Sequence, residues 1–107
     1  TFMKLVGVTS CSQGIAFTYM AAENLLRAAF QLDIDMKVEM QGSLGVENEL
    51  TKKDIEEADG VIIAADKELD VSRFAGKRLL VVDVQDGIRI PRELINRFRH
   101  HEVPVLY

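Results

Sequence analysis

A single cysteine among 107 residues, Cys11, rules out an internal disulfide. Lone thiols belong in reducing compartments, so an intracellular location is the expectation. No apolar run approaches the ~20 residues a membrane span needs, so no membrane insertion is expected, and no signal-peptide pattern opens the chain. Neither a Walker sequence nor G-x-G-x-x-G occurs, so no nucleotide and no other cofactor is implied. His100 and His101 have no ligands at metal-site spacing, so no metal is expected. Linkers, internal repeats and low-complexity segments are also missing, which leaves one domain over residues 1–107. With 48% apolar residues, a chain of this length has enough to bury a single core.

Positive charge is in short supply, and what there is lies toward the end. Residues 1–72 hold six Lys/Arg against thirteen Asp/Glu, whereas residues 73–107 hold seven against four. The net charge of −4 argues against direct nucleic-acid binding. Arg89, Arg92, Arg97 and Arg99 read as the solvated face of a last helix, suited to its negative C-terminal end, or as a docking face for an acidic partner.

What is present is a regular alternation of strands and helices. Residues 3–9 read as a buried strand, and apolar spacing at Ala22, Leu25, Leu26, Ala29 and Leu32 predicts a helix over about 18–32. Ile34, Met36, Val38 and Met40 alternate with Asp35, Lys37, Glu39 and Gln41, the pattern of a half-buried strand at a sheet edge. Met36 and Met40 then serve as core filler. Gly42–Gly45 reads as the opening of a loop, and Thr51-x-x-Asp54 as a cap on a short helix to about Ala58. Gly60–Ala65 has the continuous apolar character of a central strand, a helical turn is expected near Val71–Phe74, and Leu79–Val82 reads as the fourth strand. Pro91 suits the first turn of a last helix burying Leu94, Ile95 and Phe98, and Pro104 ends the regular structure. The expected fold is α/β, a Rossmann-like three-layer α/β/α arrangement on a four-stranded parallel sheet of order 2-1-3-4.

Such a sheet binds ligands at the carboxyl ends of its strands, where the strand order reverses. The first and third strands meet there, which brings Cys11 and Asp66 to one crevice. A lone cysteine is commonly an inert core residue. This one instead occupies a strand–turn–helix whose backbone N–H groups and helix dipole favour an anion. Gly14 lets the backbone approach a phosphate closely, or is simply a turn glycine. Ser10, Ser12 and Thr18 offer hydroxyls, with Thr18 also suited to capping the helix. Cysteine phosphatases need Cys-x5-Arg, whose arginine clamps the phosphate. Here that position is Phe17, which has no donor. Hydrolysis is therefore disfavoured against a loop that accepts a phosphoryl group and passes it on.

Three segments then carry a family resemblance over essentially the whole chain. They are Cys11-x-x-Gly-Ile-Ala-x-Thr-x-Met-Ala-Ala-Glu23, Lys37-Val-Glu-x-Gln-Gly-Ser-x-Gly-Val-Glu-Asn-Glu-Leu-Thr51 and Arg73-Phe-Ala-Gly-Lys77. They resemble the fructose-type enzyme IIB (fructose/mannitol family) of the bacterial phosphoenolpyruvate-dependent sugar phosphotransferase system. The resemblance implies a cytoplasmic phosphotransferase domain working at a membrane permease. It also implies Cys11 as the residue phosphorylated by a IIA phosphohistidine, and delivery of the phosphoryl group to a fructose-like sugar bound by the IIC permease. Ser12, Gln13, Gly14, Ile15, Ala16, Phe17 and Thr18 would form the phosphate loop. Similar domains inside sugar-operon transcription regulators imply an alternative, phosphorylation of Cys11 without sugar transfer.

The departures lie inside the loop. The family commonly reads Cys-Pro-Thr-Gly-Ile-Ala-His-Thr, where this chain has Ser12, Gln13 and Phe17. Serine restores a backbone N–H, Gln13 can still hydrogen-bond, and Phe17 removes an imidazole able to donate a proton. Ser10, Gln41, Gly42, Ser43, Asp66 and Arg73 are candidates for the rim. Each has a plainer reading: Gln41–Gly45 as a connecting loop, Arg73 as a surface ion pair, and Asp66 as a loop cap.

Overall fold

The computed structural model describes residues 3–107, and β1 (Lys4–Ser10) stands at the centre of its sheet. The other strands are β2 (Asp35–Gly42), β3 (Gly45–Glu47), β4 (Gly60–Ala65) and β5 (Arg78–Val82). The helices are α1 (Ile15–Gln31), α2 (Lys52–Glu57), α3 (Val84–Arg89) and α4 (Pro91–Arg99), with a 3-10 turn at Ser72–Phe74. Each residue of β1 from Leu5 to Ser10 is buried, as a strand covered on both faces requires. Its register sets Ser10 opposite Gln41 of β2 on one side and Ala65 of β4 on the other.

The sheet differs from the expected four parallel strands. It has five, in the order β3-β2-β1-β4-β5, and it is mixed. The four parallel strands do follow the expected order; the fifth, β3, runs antiparallel to β2. Gly42 pairs with Gly45 across a tight turn, and Gly45 has φ 126°, so the segment expected to open a loop closes a hairpin instead. That hairpin moves β2 inward from the sheet edge. At the opposite edge the chain does not leave the sheet at Pro104. Val105 bridges to Arg78, and Leu106 donates to the Lys77 carbonyl and accepts from Gly76, so the tail covers β5.

Two cores lie on the two faces. Leu5, Leu25, Ala29, Ile62, Leu94 and Phe98 pack α1 and α4 on one face, and Val6, Val8, Val61 and Ile63 pack under Leu50, Ala58 and Phe74 on the other. Gly60 starts β4 because Phe98 lies against it; a Cβ there would fall 2.3 Å from the ring. Pro91 opens α4 at its first turn, as expected. The sequence reading missed α3, a six-residue helix capped by Asp83 through the Gln85 N–H.

The Thr51–Asp54 signal forms a full capping box: the Thr51 hydroxyl accepts from the Asp54 N–H and the Asp54 carboxylate accepts from the Thr51 N–H. Lys37 of β2 donates to the same carboxylate at 2.7 Å. The Lys37 ammonium and the two Thr51 donors hold the Asp54 carboxyl at about 2, below its ordinary 3.8. A group depressed in the folded state stabilises fully above its unfolded value and loses that contribution as pH falls through the folded one. Carboxyl NMR titration of Asp54 is expected to give a midpoint of about 2. A midpoint near 3.8 would break the link between helix cap and sheet.

Candidate functional site

The carboxyl end of β1 delivers the chain directly into the site. Cys11 follows Ser10, residues 12–13 turn, and α1 begins at Ile15. The helix thus starts three residues earlier than expected, because Gly14 is its N-cap with φ 141° and ψ 160°. That conformation is close to exclusive to glycine, so Gly14 has a backbone reason to be there. Phe17 and Thr18 consequently lie in the first helical turn and not in a loop, which removes Thr18 as a cap.

This end of α1 is left open to an anion. A helix leaves its first four N–H groups without intrahelical partners. Gly14 supplies no side-chain cap, and the first turn has no acidic residue. At 17 residues, α1 carries the full positive end of a helix dipole. Three buried hydroxyls without protein partners cluster in the flanking sequence: Thr9 and Ser10 at the end of β1, and Thr18 in the first turn of α1.

Asp66 closes the other side. Its N–H continues the ladder to the Ser10 carbonyl at 3.3 Å, and its side chain folds over the cysteine turn. The Ser12 N–H donates to both carboxylate oxygens at 2.9 and 3.1 Å, and the Ser12 hydroxyl donates at 2.8 Å. The Cys11 thiol donates to Oδ2 at 3.5 Å. The two Ser12 donors, with a smaller part from the thiol, hold the Asp66 carboxyl below the usual range. The expected loop cap is therefore found, and it grips the thiol as well.

The remaining candidates separate into two groups. Gln41 is paired with Ser10 in the sheet, and Gly42 lies against Ile15 in a cleft of about 150 Å³ that Thr18, Leu44 and Val46 also line. Gln13, Ile15 and Ala16 are exposed around the turn, Phe17 is half-buried, and Ser43 is exposed in the hairpin turn. Arg73 is instead committed elsewhere, since its guanidinium grips Glu39 through two bonds of 2.7 and 2.9 Å. Arg73 thus forms an ion pair as expected, but with a buried partner and not at the surface.

Glu39 is the residue that sequence reasoning missed. The period-two pattern of β2 assigned it to solvent, yet it is 1% exposed. Besides Arg73, it accepts from the Leu50 N–H at 2.9 Å and from Gln41 at 2.8 Å. Burial pushes its carboxyl up, but Arg73, Gln41 and Leu50 together outweigh burial and leave it below the usual range. The signal in the sequence is the Lys37–Thr51 segment itself, which places Glu39 two residues before Gln41.

This geometry has close counterparts among known proteins. A family model described as "PTS system, Lactose/Cellobiose specific IIB subunit" matches residues 6–97. The chain is 45% identical over 102 residues to the PTS system fructose-specific EIIABC component of Bacillus subtilis, covering 95% of this chain and 16% of that protein. It is 41% identical over 99 residues to the PTS system fructose-like EIIB component 2 of Escherichia coli K12, covering 92% and 93%. A solved domain of fruA from Bacillus subtilis superposes with a TM-score of 0.87 at 43% identity, covering 97% of this chain and 99% of that one. The chain spans only 16% of the length of the Bacillus subtilis and Xanthomonas campestris fructose-specific relatives.

Glu39→Ala is expected to cost about 2–4 kcal/mol, because it strands Arg73 and two further donors. Urea denaturation measures this, and a loss below about 0.5 kcal/mol, the level of an ordinary surface change, would contradict the anchoring role.

Proposed function

This chain belongs to the PTS IIB family, and on that premise we propose that it is a fructose-type phosphoryl carrier phosphorylated on Cys11. The carrying observation is the open, acid-free N-terminus of α1, four residues beyond the lone thiol. A phosphoryl group on Sγ would replace the missing cap. The uncapped first turn of α1 and the unpartnered Thr18 hydroxyl support this reading as donors for it. Phosphoryl transfer asks chiefly for positioning and charge stabilisation, and a preformed cradle supplies both.

The donor in this reading is a phosphohistidine of a IIA component, and the acceptor is a fructose-like sugar in a IIC permease. The fusion of EIIABC in one relative and of EIIB'BC in another supports that pair of partners. Among the described residues no helix is long and apolar enough to cross a membrane. In the proposed reading, membrane contact falls to the permease and this domain works on its cytoplasmic side. The absence of an arginine at Phe17, and the commitment of Arg73 to Glu39, support a carrier over a phosphatase. The transport-system relatives add nothing in favour of the regulator alternative.

Incubation with phosphoenolpyruvate, the general phosphotransferase proteins and a fructose-specific IIA domain is expected to add one phosphoryl group, located on Cys11 by mass spectrometry. Cys11→Ser should fold normally and lose sugar phosphorylation in the presence of a IIC permease. Phosphate on another residue, or none, would overturn the reading.

A further inference from the structure

The cysteine turn beside that cradle already holds an anion. In the structure, the Asp66 carboxylate takes both donors of Ser12 and the thiol proton of Cys11. The N–H groups at the start of α1 receive nothing comparable. The turn is thus held closed by a negative group within 3.5 Å of the sulfur that would carry the phosphoryl group.

We propose that Asp66 is a positioning residue that stands in for the phosphoryl group in the unloaded chain, and that its displacement on loading keeps phosphocysteine poised to transfer onward. The inference rests on the reading of Cys11 as the phosphorylated residue. In the loading step the bond from phosphorus to the donor imidazole nitrogen breaks and the P–Sγ bond forms. The thiol proton passes to the vacated imidazole nitrogen. Asp66 thereby loses a donor and faces a phosphoryl dianion at short range, where like charges repel. In the onward step a sugar hydroxyl oxygen takes the phosphorus, and the proton released returns to Sγ. The thiol then donates to Asp66 again. The hydrogen bond broken in the first step re-forms in the second, so the carboxylate favours discharge.

Ser12 makes most of the arrangement. It supplies two of the three donors that hold Asp66, one from its backbone N–H and one from its hydroxyl. Proline, common at this position in the resembling family, has neither. The carboxylate is held by this chain's own turn, and the Ser12 donors lower its pKa.

The test is an equilibrium and not a rate. The chain is mixed with a phosphorylated fructose-specific IIA domain, and phosphocysteine and phosphohistidine are quantified by mass spectrometry once the ratio is constant. Asp66→Asn and Asp66→Ala are each expected to shift the ratio toward phosphocysteine about tenfold, or about 1.4 kcal/mol. A structural role alone would change stability or speed while leaving this ratio in place, and amide NMR spectra are recorded to check that both variants fold. Ratios within about twofold of the wild type in both variants, or a shift toward the thiol, would overturn the proposal alone. Failure of the wild-type chain to form phosphocysteine would overturn the carrier reading, and this proposal with it.

Discussion

The position of β1 governs this molecule. It is buried on both faces and hydrogen-bonded on both edges, with β2 on one side and β4 on the other. Pairing on both edges and burial on both faces hold the point where the chain leaves β1. Ser10 ends the ladder opposite Gln41 and Ala65, and Cys11 follows at once. Every other feature of the site is measured from that point. Gly14 supplies the one backbone conformation that lets α1 start four residues on, and Asp66 reaches back from the end of β4.

Around that fixed thiol, charge is arranged by what is already partnered. Glu39 and Arg73 satisfy each other, so neither carries net charge into the site. Asp66 is satisfied by the cysteine turn itself. Those donors are neutral, so Asp66 keeps its negative charge, and the positive feature beside the thiol is the start of α1. On the proposed carrier reading, the same local arrangement is what lets a chain of net charge −4 receive a phosphoryl dianion. Bulk charge governs long-range encounter, whereas the affinity of the cradle is set by a few N–H groups at short range.

How legible this was depended on whether the deciding contacts were local. The capping box of α2 is a three-residue interaction, and Pro91 limits its own helix, so both were readable. Gly60–Ala65 was readable because its apolar run has no polar interruption. The early start of α1 was not, since the apolar Ile15 is exposed and gives no buried stripe to extend. The three-residue β3 was hidden because its residues are exposed and bury no face. In α3, Gly87 lowers helix propensity, yet it is needed where a Cβ would fall 3.0 Å from the Ala64 Cβ. Glu39 was assigned to the wrong environment for a tertiary reason: Arg73, 34 residues later, covers the face that alternation assigned to water. The crevice could be placed from topology; the partnering of its charges needed three-dimensional contacts.

In the proposed reading the open N-terminus of α1 receives a phosphoryl group carried on Cys11. Amide NMR of the uniformly 15N-labelled chain before and after phosphorylation by a IIA domain tests it most directly. The largest downfield proton shifts are expected at the N–H groups of Ile15, Ala16 and Phe17, with Ser12 shifting as its carboxylate partner is displaced. Unmoved first-turn amides, with changes gathered elsewhere such as around His100 and His101, would contradict it.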